Sequence, residues 1–267
     1  VDFKDQINDI VEKGAPIDVS AMLDDTLGLL QADGGSVNFF NMLHNMRAYD
    51  DLTYAHCLNV ALICNVFAGW LHFSQEDIEL ATLCGLFHDI DKLCIPDSII
   101  KKPDRLTNEE YDVIKTHTIE GYKLLQNQPV NDHIKNAALM HHERCDGSGY
   151  PFGLTGNRID KFAKIVSIAD VYDAMTAARV YRGPLCPFTV IDIFEKEGLQ
   201  KYESEYILCF LKNVVLTYIG QRVRLTNGQE GDVVFINPQQ FSRPMVKCGD
   251  TFVDLSKQKD ITIERLL

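Results

Sequence analysis

Apolar residues recur at helical spacing along most of this chain, and only the last 50 residues change to an alternating pattern. Residues 2–31 read as two amphipathic helices rich in Asp and Glu, parted by Gly14-Ala15-Pro16. Ala32-Asp33-Gly34-Gly35-Ser36 follows as a turn or linker. From Val37 to about Leu216 the helical period dominates, with one apolar helix predicted over 54–71 and carrying His56. Ser74-Gln75-Glu76-Asp77 has the form of a capping box opening a helix over 78–88. Thr107-Asn108-Glu109-Glu110 has the same form and predicts one helix running through Ile114, His117 and Leu124-Leu125. Further helices are predicted over 132–140, 162–177, 189–196 and 203–215. Past Tyr218, Arg222-Val223-Arg224-Leu225 alternates polar with apolar, Asn227-Gly228 is a hairpin signal, and 232–236, 245–248 and 252–255 read as strands. The expected fold is mainly α, a helical bundle with N-terminal helices and a small C-terminal β appendage. Its expected divisions are an N-terminal helical segment (1–36), a helical body (37–217) and a β-rich segment (218–267).

Composition narrows the function classes. A chain of 267 residues, 46% hydrophobic, is long enough for a full core plus one small appended unit. Its net charge of −12 argues against coating duplex nucleic acid, which needs a basic face. A phosphate ligand must then be held by a few local cations or by bound metal. Eight cysteines stand singly, with no C-x-x-C, several of them in apolar helical runs. That pattern predicts reduced, core-packing thiols in a cytoplasmic protein. The longest apolar stretch, 58–71, is broken by Asn65 and too short to span a bilayer. No signal peptide is visible, and Val1 in place of Met raises the expectation of a piece of a longer protein.

The candidate chemistry centres on His141-His142-Glu143-Arg144-Cys145-Asp146-Gly147-Ser148-Gly149-Tyr150-Pro151, a helix end followed by a glycine-rich loop. Adjacent helical histidines point about 100° apart, so they reach one pocket toward two ions, or one ligates while the other binds substrate. The bland alternative is a pair of solvated histidines before a turn. His56, His88 and His117 precede this pair at intervals of roughly 25 to 32 residues, each on its own helix, with Asp89 beside His88 and Asp170 on a later helix. Converging helices build a polar pocket from such a series inside an apolar bundle. Imidazole with carboxylate suits Fe, Mn, Ni, Co or Zn, and each oxygen of Asp89 is free to take one of two ions. His44, His72 and His133 lie outside the series and read as ordinary surface or helix-end residues. Asp173 reads as a helix cap or an orienting partner, and Glu143 and Asp146 as partners of the histidine pair, Asp146 equally as a turn residue.

His88-Asp89, His117-Thr118-Ile119-Glu120-Gly121, His141-His142 and Gly149-Tyr150-Pro151, together with Ile168 through Thr176, resemble the HD-GYP family of bacterial cyclic-dinucleotide phosphodiesterases. The resemblance runs from about His44 to Arg182 and implies an HD-type helical bundle that hydrolyses cyclic di-GMP or cyclic GMP-AMP to a linear dinucleotide or mononucleotide. It implies a pair of divalent transition metal ions (Fe, Mn, Ni or Co) held by His56, His88, Asp89, His117, His141, His142 and Asp170. His88, Asp89 and Lys92 would serve catalysis, Lys92 and Tyr150 would contact the nucleotide, and Arg179 and Arg182 would anchor a second phosphate or a guanine edge. Two positions depart from the family pattern. Asp91 stands where Gly is usual, which places an extra negative charge near the phosphate. Leu52 stands where some members carry the Glu of a third metal, so two ions are expected. A cyclic dinucleotide receptor, another HD phosphohydrolase and a diiron oxygenase remain as alternatives. The terminal segments suit dimerisation or a regulatory partner.

Overall fold

The computed structural model describes residues 3–32, 52–94, 107–177 and 183–267. Ten α-helices are found among them: α1 (Phe3–Lys13), α2 (Val19–Ala32), α3 (Leu52–Trp70), α4 (Gln75–Phe87), α5 (Asn108–Lys115), α6 (His117–Gln126), α7 (Asp132–Met140), α8 (Lys161–Thr176), α9 (Pro187–Lys201) and α10 (Ser204–Leu216). Short 3-10 turns occupy Ile90–Cys94 and Gly156–Arg158. Five strands close the chain, β1 (Arg222–Leu225), β2 (Glu230–Asn237), β3 (Gln240–Cys248), β4 (Thr251–Asp254) and β5 (Ile263–Leu266).

α3 is apolar on nearly every side, and Val60, Ala61, Leu62, Ile63, Cys64, Phe67 and Ala68 are all wholly buried. A helix buried all round belongs at the centre of a bundle. α4 lies against it at very short range, because a Cβ on Gly85 would meet the Ala61 Cα at 2.8 Å. Only glycine permits that approach, and it draws the end of α4 onto the middle of α3. α8 covers the other side with Phe162, Ile165, Val166, Ile168, Ala169 and Tyr172 in the core. The N-terminal pair docks through Tyr54 Oη, which donates to Asn8 Oδ1 at 2.7 Å. Gln128 adds two bonds, accepting from Ile17 N and donating to Ala15 O, both at 3.1 Å.

The predicted single helix through His117 is instead two, α5 and α6. Thr116 N and Thr116 Oγ1 both donate to Val113 O, and the His117 ring bonds Ile114 O at 2.6 Å. Side chains thus occupy the carbonyls that a continuing helix would use. The capping box on Thr107 forms in both halves, whereas for Ser74 the bond to Asp77 N is the half observed.

The sheet is antiparallel in the order β4-β3-β2-β1-β5. Its inner residues Val223, Leu225, Val233, Val246, Val253 and Ile263 join the same buried cluster as the helices. Glu195 on α9 accepts from Phe241 N and Ser242 N of β3, tying sheet to bundle. β5 was not predicted: it buries only Ile263 of its four residues, and the register against β1 shifts between Arg224 and Leu225, so its alternation is broken.

Candidate metal centre

Three of the histidines sit at helix ends, where backbone carbonyls have no helical partner. His88 Nδ1 meets Gly85 O at 2.7 Å past the end of α4, and His117 Nδ1 meets Ile114 O at 2.6 Å past α5. His141 Nδ1 meets Ala137 O at 3.1 Å and Ala138 O at 3.0 Å past α7. A carbonyl only accepts, so in each ring the proton lies on Nδ1, and Nε2 is left as a lone-pair donor aimed inward. His56 on α3 has the same orientation by another route, its Nδ1 bonding Asp173 Oδ2 on α8 at 2.7 Å. Asn59 donates to the other Asp173 oxygen at 3.2 Å. Asp173 is thus an orienting partner, one of the two roles its sequence position offered.

The inward-facing donors form two groups. Ligand atoms of Asp89, His117, His141 and His142 lie within 4.8 Å of one another, and those of His56, His88 and Asp170 do the same. Asp89 faces both. Its Oδ1 stands 3.5 Å from His117 Nε2 and 3.5 Å from His141 Nε2, while its Oδ2 stands 3.1 Å from His88 Nε2 and 3.6 Å from His56 Nε2. Asp170 Oδ1 lies 3.1 Å from His56 Nε2, with its Oδ2 3.9 Å from His142 Nδ1.

Such a donor set fits divalent metal. His117 Nε2 and His141 Nε2 face each other at 3.3 Å, and with both protons on Nδ1 two lone pairs point into the same space. A cation between them turns that repulsion into ligation. His56 Nε2, His88 Nε2 and Asp89 Oδ1 are buried without an aligned hydrogen bond. Orphaned buried polar atoms that converge on one point are what a bound ion satisfies.

The protonation states agree at His88, Asp89, His117, His142 and Asp170, whereas at His56 Asp170 and Asp173 keep the ring protonated against burial. Burial pushes His88 below its ordinary pKa, His117 down to about 4 and His142 well down, so all three are neutral at pH 7. Burial opposes charge on Asp89 as well, but Lys92, bonded to it, outweighs burial and holds the carboxyl well below the usual range. Asp170 is held down in the same way, the charged His56 ring overcoming burial. Neutral imidazoles and ionised carboxylates are the forms that bind metal.

The loop after α7 is built to close over this centre. A Cβ on Gly149 would meet Arg144 N and Glu143 Cα at 2.4 Å, so the chain doubles back on itself there as only glycine allows. Buried Glu143 accepts from Phe152 N at 2.7 Å and Leu154 N at 2.8 Å. It therefore anchors the loop backbone instead of orienting the histidine pair, and Asp146 is a turn residue accepting from Ser148 N at 2.9 Å. Arg144 donates to His141 O, Glu143 O and Ser167 Oγ, fixing the peptides around the pair. The loop delivers Tyr150 onto His142, ring on ring at 4.7 Å and 26°. Lys92, its side chain 25% exposed, bonds Asp89 Oδ2 from the rim of the site.

Of the residues singled out in the sequence, His56, His88, Asp89, Lys92, His117, His141, His142, Tyr150 and Asp170 come together. Arg179, Arg182 and His44 lie outside the described residues. Asp91 is fully buried, with Oδ1 3.0 Å from where a Gly121 Cβ would stand, so its carboxyl packs against α6 instead of facing an incoming phosphate. Burial, and Asp89 after it, push that carboxyl up to about 8, which leaves it mostly uncharged at pH 7. His133 bonds Asp160 at 2.6 Å, away from the centre. Cys57, Cys64 and Cys84 are buried free thiols, as the apolar helical runs predicted, and Cys248 is a buried free thiol on β3. No helix among the described residues is long and apolar enough to cross a membrane. Sequence reasoning missed Arg144 and Tyr111, which reaches Tyr150 edge-on at 6.5 Å. Nothing in the local pattern marks either, since both depend on a fold-back of the loop.

Residues 41–206 match the family model described as the HD domain. A cyclic di-GMP phosphodiesterase of Pseudomonas aeruginosa is 32% identical over 207 residues, covering 77% of this chain and 50% of that protein. A 3'3'-cGAMP-specific phosphodiesterase of Vibrio cholerae is 38% identical over 156 residues, covering 58% of this chain and 36% of the relative. The chain thus spans about half or less of these relatives' lengths. Among solved structures, an HDG"Y"P protein of Bdellovibrio bacteriovorus, Bd1817, shares the fold with a TM-score of 0.64 at 18% identity, over 78% of this chain and 68% of its own. Fold, paired histidine and aspartate groups and sequence agree: the chain belongs to the HD domain family.

Proposed function

We propose that this protein is a metal-dependent phosphodiesterase that opens a bacterial cyclic dinucleotide, cyclic di-GMP first and cyclic GMP-AMP as the alternative substrate. The observation that carries the reading is Asp89, whose two oxygens serve two separate clusters of inward-facing imidazoles, the layout of a binuclear centre. The names of the relatives, cyclic di-GMP and 3'3'-cGAMP phosphodiesterases, support the substrate class.

In this reading one ion is held by His56, His88, Asp89 and Asp170, and a second by Asp89, His117, His141 and His142. Both are transition metals of the Fe, Mn, Ni or Co group. Bound there, they would supply hydroxide at neutral pH and offset charge on the phosphoryl oxygens. Asp89 sets the spacing of the two clusters. Lys92 meets the phosphate from the rim, and its charge is firm, because Asp89 and Asp170 hold its pKa up against the pull of burial. Tyr150 offers the nucleotide an aromatic edge held still by His142. Arg179 and Arg182 keep the phosphate-anchoring role that the family pattern gives them. The span 37–217 carries the activity, with the terminal segments serving dimerisation or regulation.

The test is to strip and reload the protein, count metals, and follow both cyclic dinucleotides by chromatography. Metal-dependent linear dinucleotide or GMP is expected, and Asp89→Ala should lower the rate by about a thousandfold. Fully loaded protein that turns over neither compound, or full activity in Asp89→Ala, would refute the reading.

A further inference from the structure

Helix α5 buries none of its residues and is held in shape by its capping box instead of by a core. It nevertheless carries Tyr111, a residue 48% exposed. The Tyr111 ring meets Tyr150 at 6.5 Å and 77°, and Tyr150 lies on His142 at 4.7 Å and 26°. Three aromatic rings thus run in contact from the metal centre out to solvent. Lys115 stands 5.2 Å over the Tyr111 ring and is itself fixed by Asp112 at 2.6 Å. The ring is steadied on one side while nearly half its surface stays in water.

We propose that Tyr111 is a base platform, the ring on which a purine of the substrate stacks while the phosphodiester lies at the metal centre. This rests on the proposed function. In a cyclic dinucleotide the macrocycle fixes each purine at a set reach from the phosphates, so a phosphate drawn to the centre carries its purines outward past the rim. The aromatic surface waiting there is the Tyr150–Tyr111 pair, and Tyr150 already spends a face on His142. Stacking uses the π-face that every base shares, so Tyr111 supplies affinity and leaves the choice between guanine and adenine to other contacts.

The experiment compares metal-loaded wild type, Tyr111→Ala and Tyr111→Phe on cyclic di-GMP and on methyl 4-nitrophenyl phosphate, a simple diester too short to reach from the metals to Tyr111. Because α5 buries nothing, the variants should fold and hold metal as the wild type does. Tyr111→Ala should raise KM for cyclic di-GMP about tenfold or more, with kcat and the small diester unchanged, and Tyr111→Phe should restore KM. An unchanged KM in Tyr111→Ala overturns the platform. Equal losses on both substrates overturn it too, because they mean Tyr111 only props Tyr150. Wild type that cleaves the small diester but no cyclic dinucleotide removes the proposed function itself, and the platform with it.

Discussion

Removing the carboxyl of Asp91 should stabilise the metal-free protein against unfolding by an amount that grows with pH. The side chain is wholly buried, and neither of its oxygens has a hydrogen-bond partner. Burial is the first cause that lifts its pKa from 3.8 to about 8, and the charge of Asp89 is the second. Between those two values the folded protein keeps a proton that the unfolded chain has released, so stability falls as pH rises through the window and levels off above it. At about 1.4 kcal/mol for each pH unit of the window, the ceiling is about 6 kcal/mol. Relaxation of the site toward water lowers the effect to about 1–3 kcal/mol, the usual cost of an unsatisfied buried polar group. The assay is urea unfolding of chelator-treated wild type and Asp91→Ala from pH 5 to pH 8.5. Lost packing in the variant adds the same offset at every pH, so the slope of the difference is the readout. A difference that stays flat from pH 5 to pH 8 would show that Asp91 reaches water or a partner, and the reasoning would fail.

Other perturbations read the centre directly. Asp173→Asn replaces the carboxylate behind His56 and should weaken metal binding about 10–100-fold, measured by competition with a chelating dye, while the fold survives; undiminished affinity would deny the orienting role. Burial works against a charge on His56, but Asp170 and Asp173 outweigh it and lift the ring to about 9, so metal must displace a proton at pH 7. Apparent affinity should therefore climb with pH by up to about tenfold per unit until about pH 9, and calorimetry in buffers of different ionisation heat should count at least one proton released. Zero protons released would contradict the charged ring. Glu143→Ala strands the N–H groups of Phe152 and Leu154, which should lower stability by about 2 kcal/mol or more in thermal unfolding and raise KM as Tyr150 loosens. A shift within the scatter of the melts would mean that water takes the carboxylate's place.

How much of this was readable in advance depends on the range of the interaction involved. The helices of the body were legible because each buries a face with a fixed period; α7 spans the residues its pattern predicted. The histidine series was legible because its members fall in or beside separate predicted helices, and the helices of one bundle must converge. Asp89 as the shared residue followed from its place beside His88. The break at Thr116 was not legible, since Thr and His competing for Val113 and Ile114 carbonyls look like ordinary helical residues in the sequence. Asp91 read as a charge near the phosphate, because an acid beside a lysine is usually solvated. Its burial against Gly121 arises from the packing of the 3-10 turn on α6, which no local pattern records. Tyr111 became meaningful only when the loop beyond α7 folded back to set Tyr150 beside it.

The feature that joins fold to chemistry is the use of helix ends. Every helix leaves carbonyls unpaired at its last turn, and α4, α5 and α7 each answer that need with an imidazole N–H from the residue at the break, for α7 through Ala138 O. The bond that ends the helix also selects the tautomer, and the tautomer turns Nε2 toward Asp89. Asparagine or glutamine could donate the same capping bond, but neither would then present a nitrogen lone pair on its far side. Helix termination and ligand aiming are therefore one interaction made by one residue type. The positions of His88, His117 and His141 in the chain are fixed by where the helices must stop as much as by the need to face Asp89.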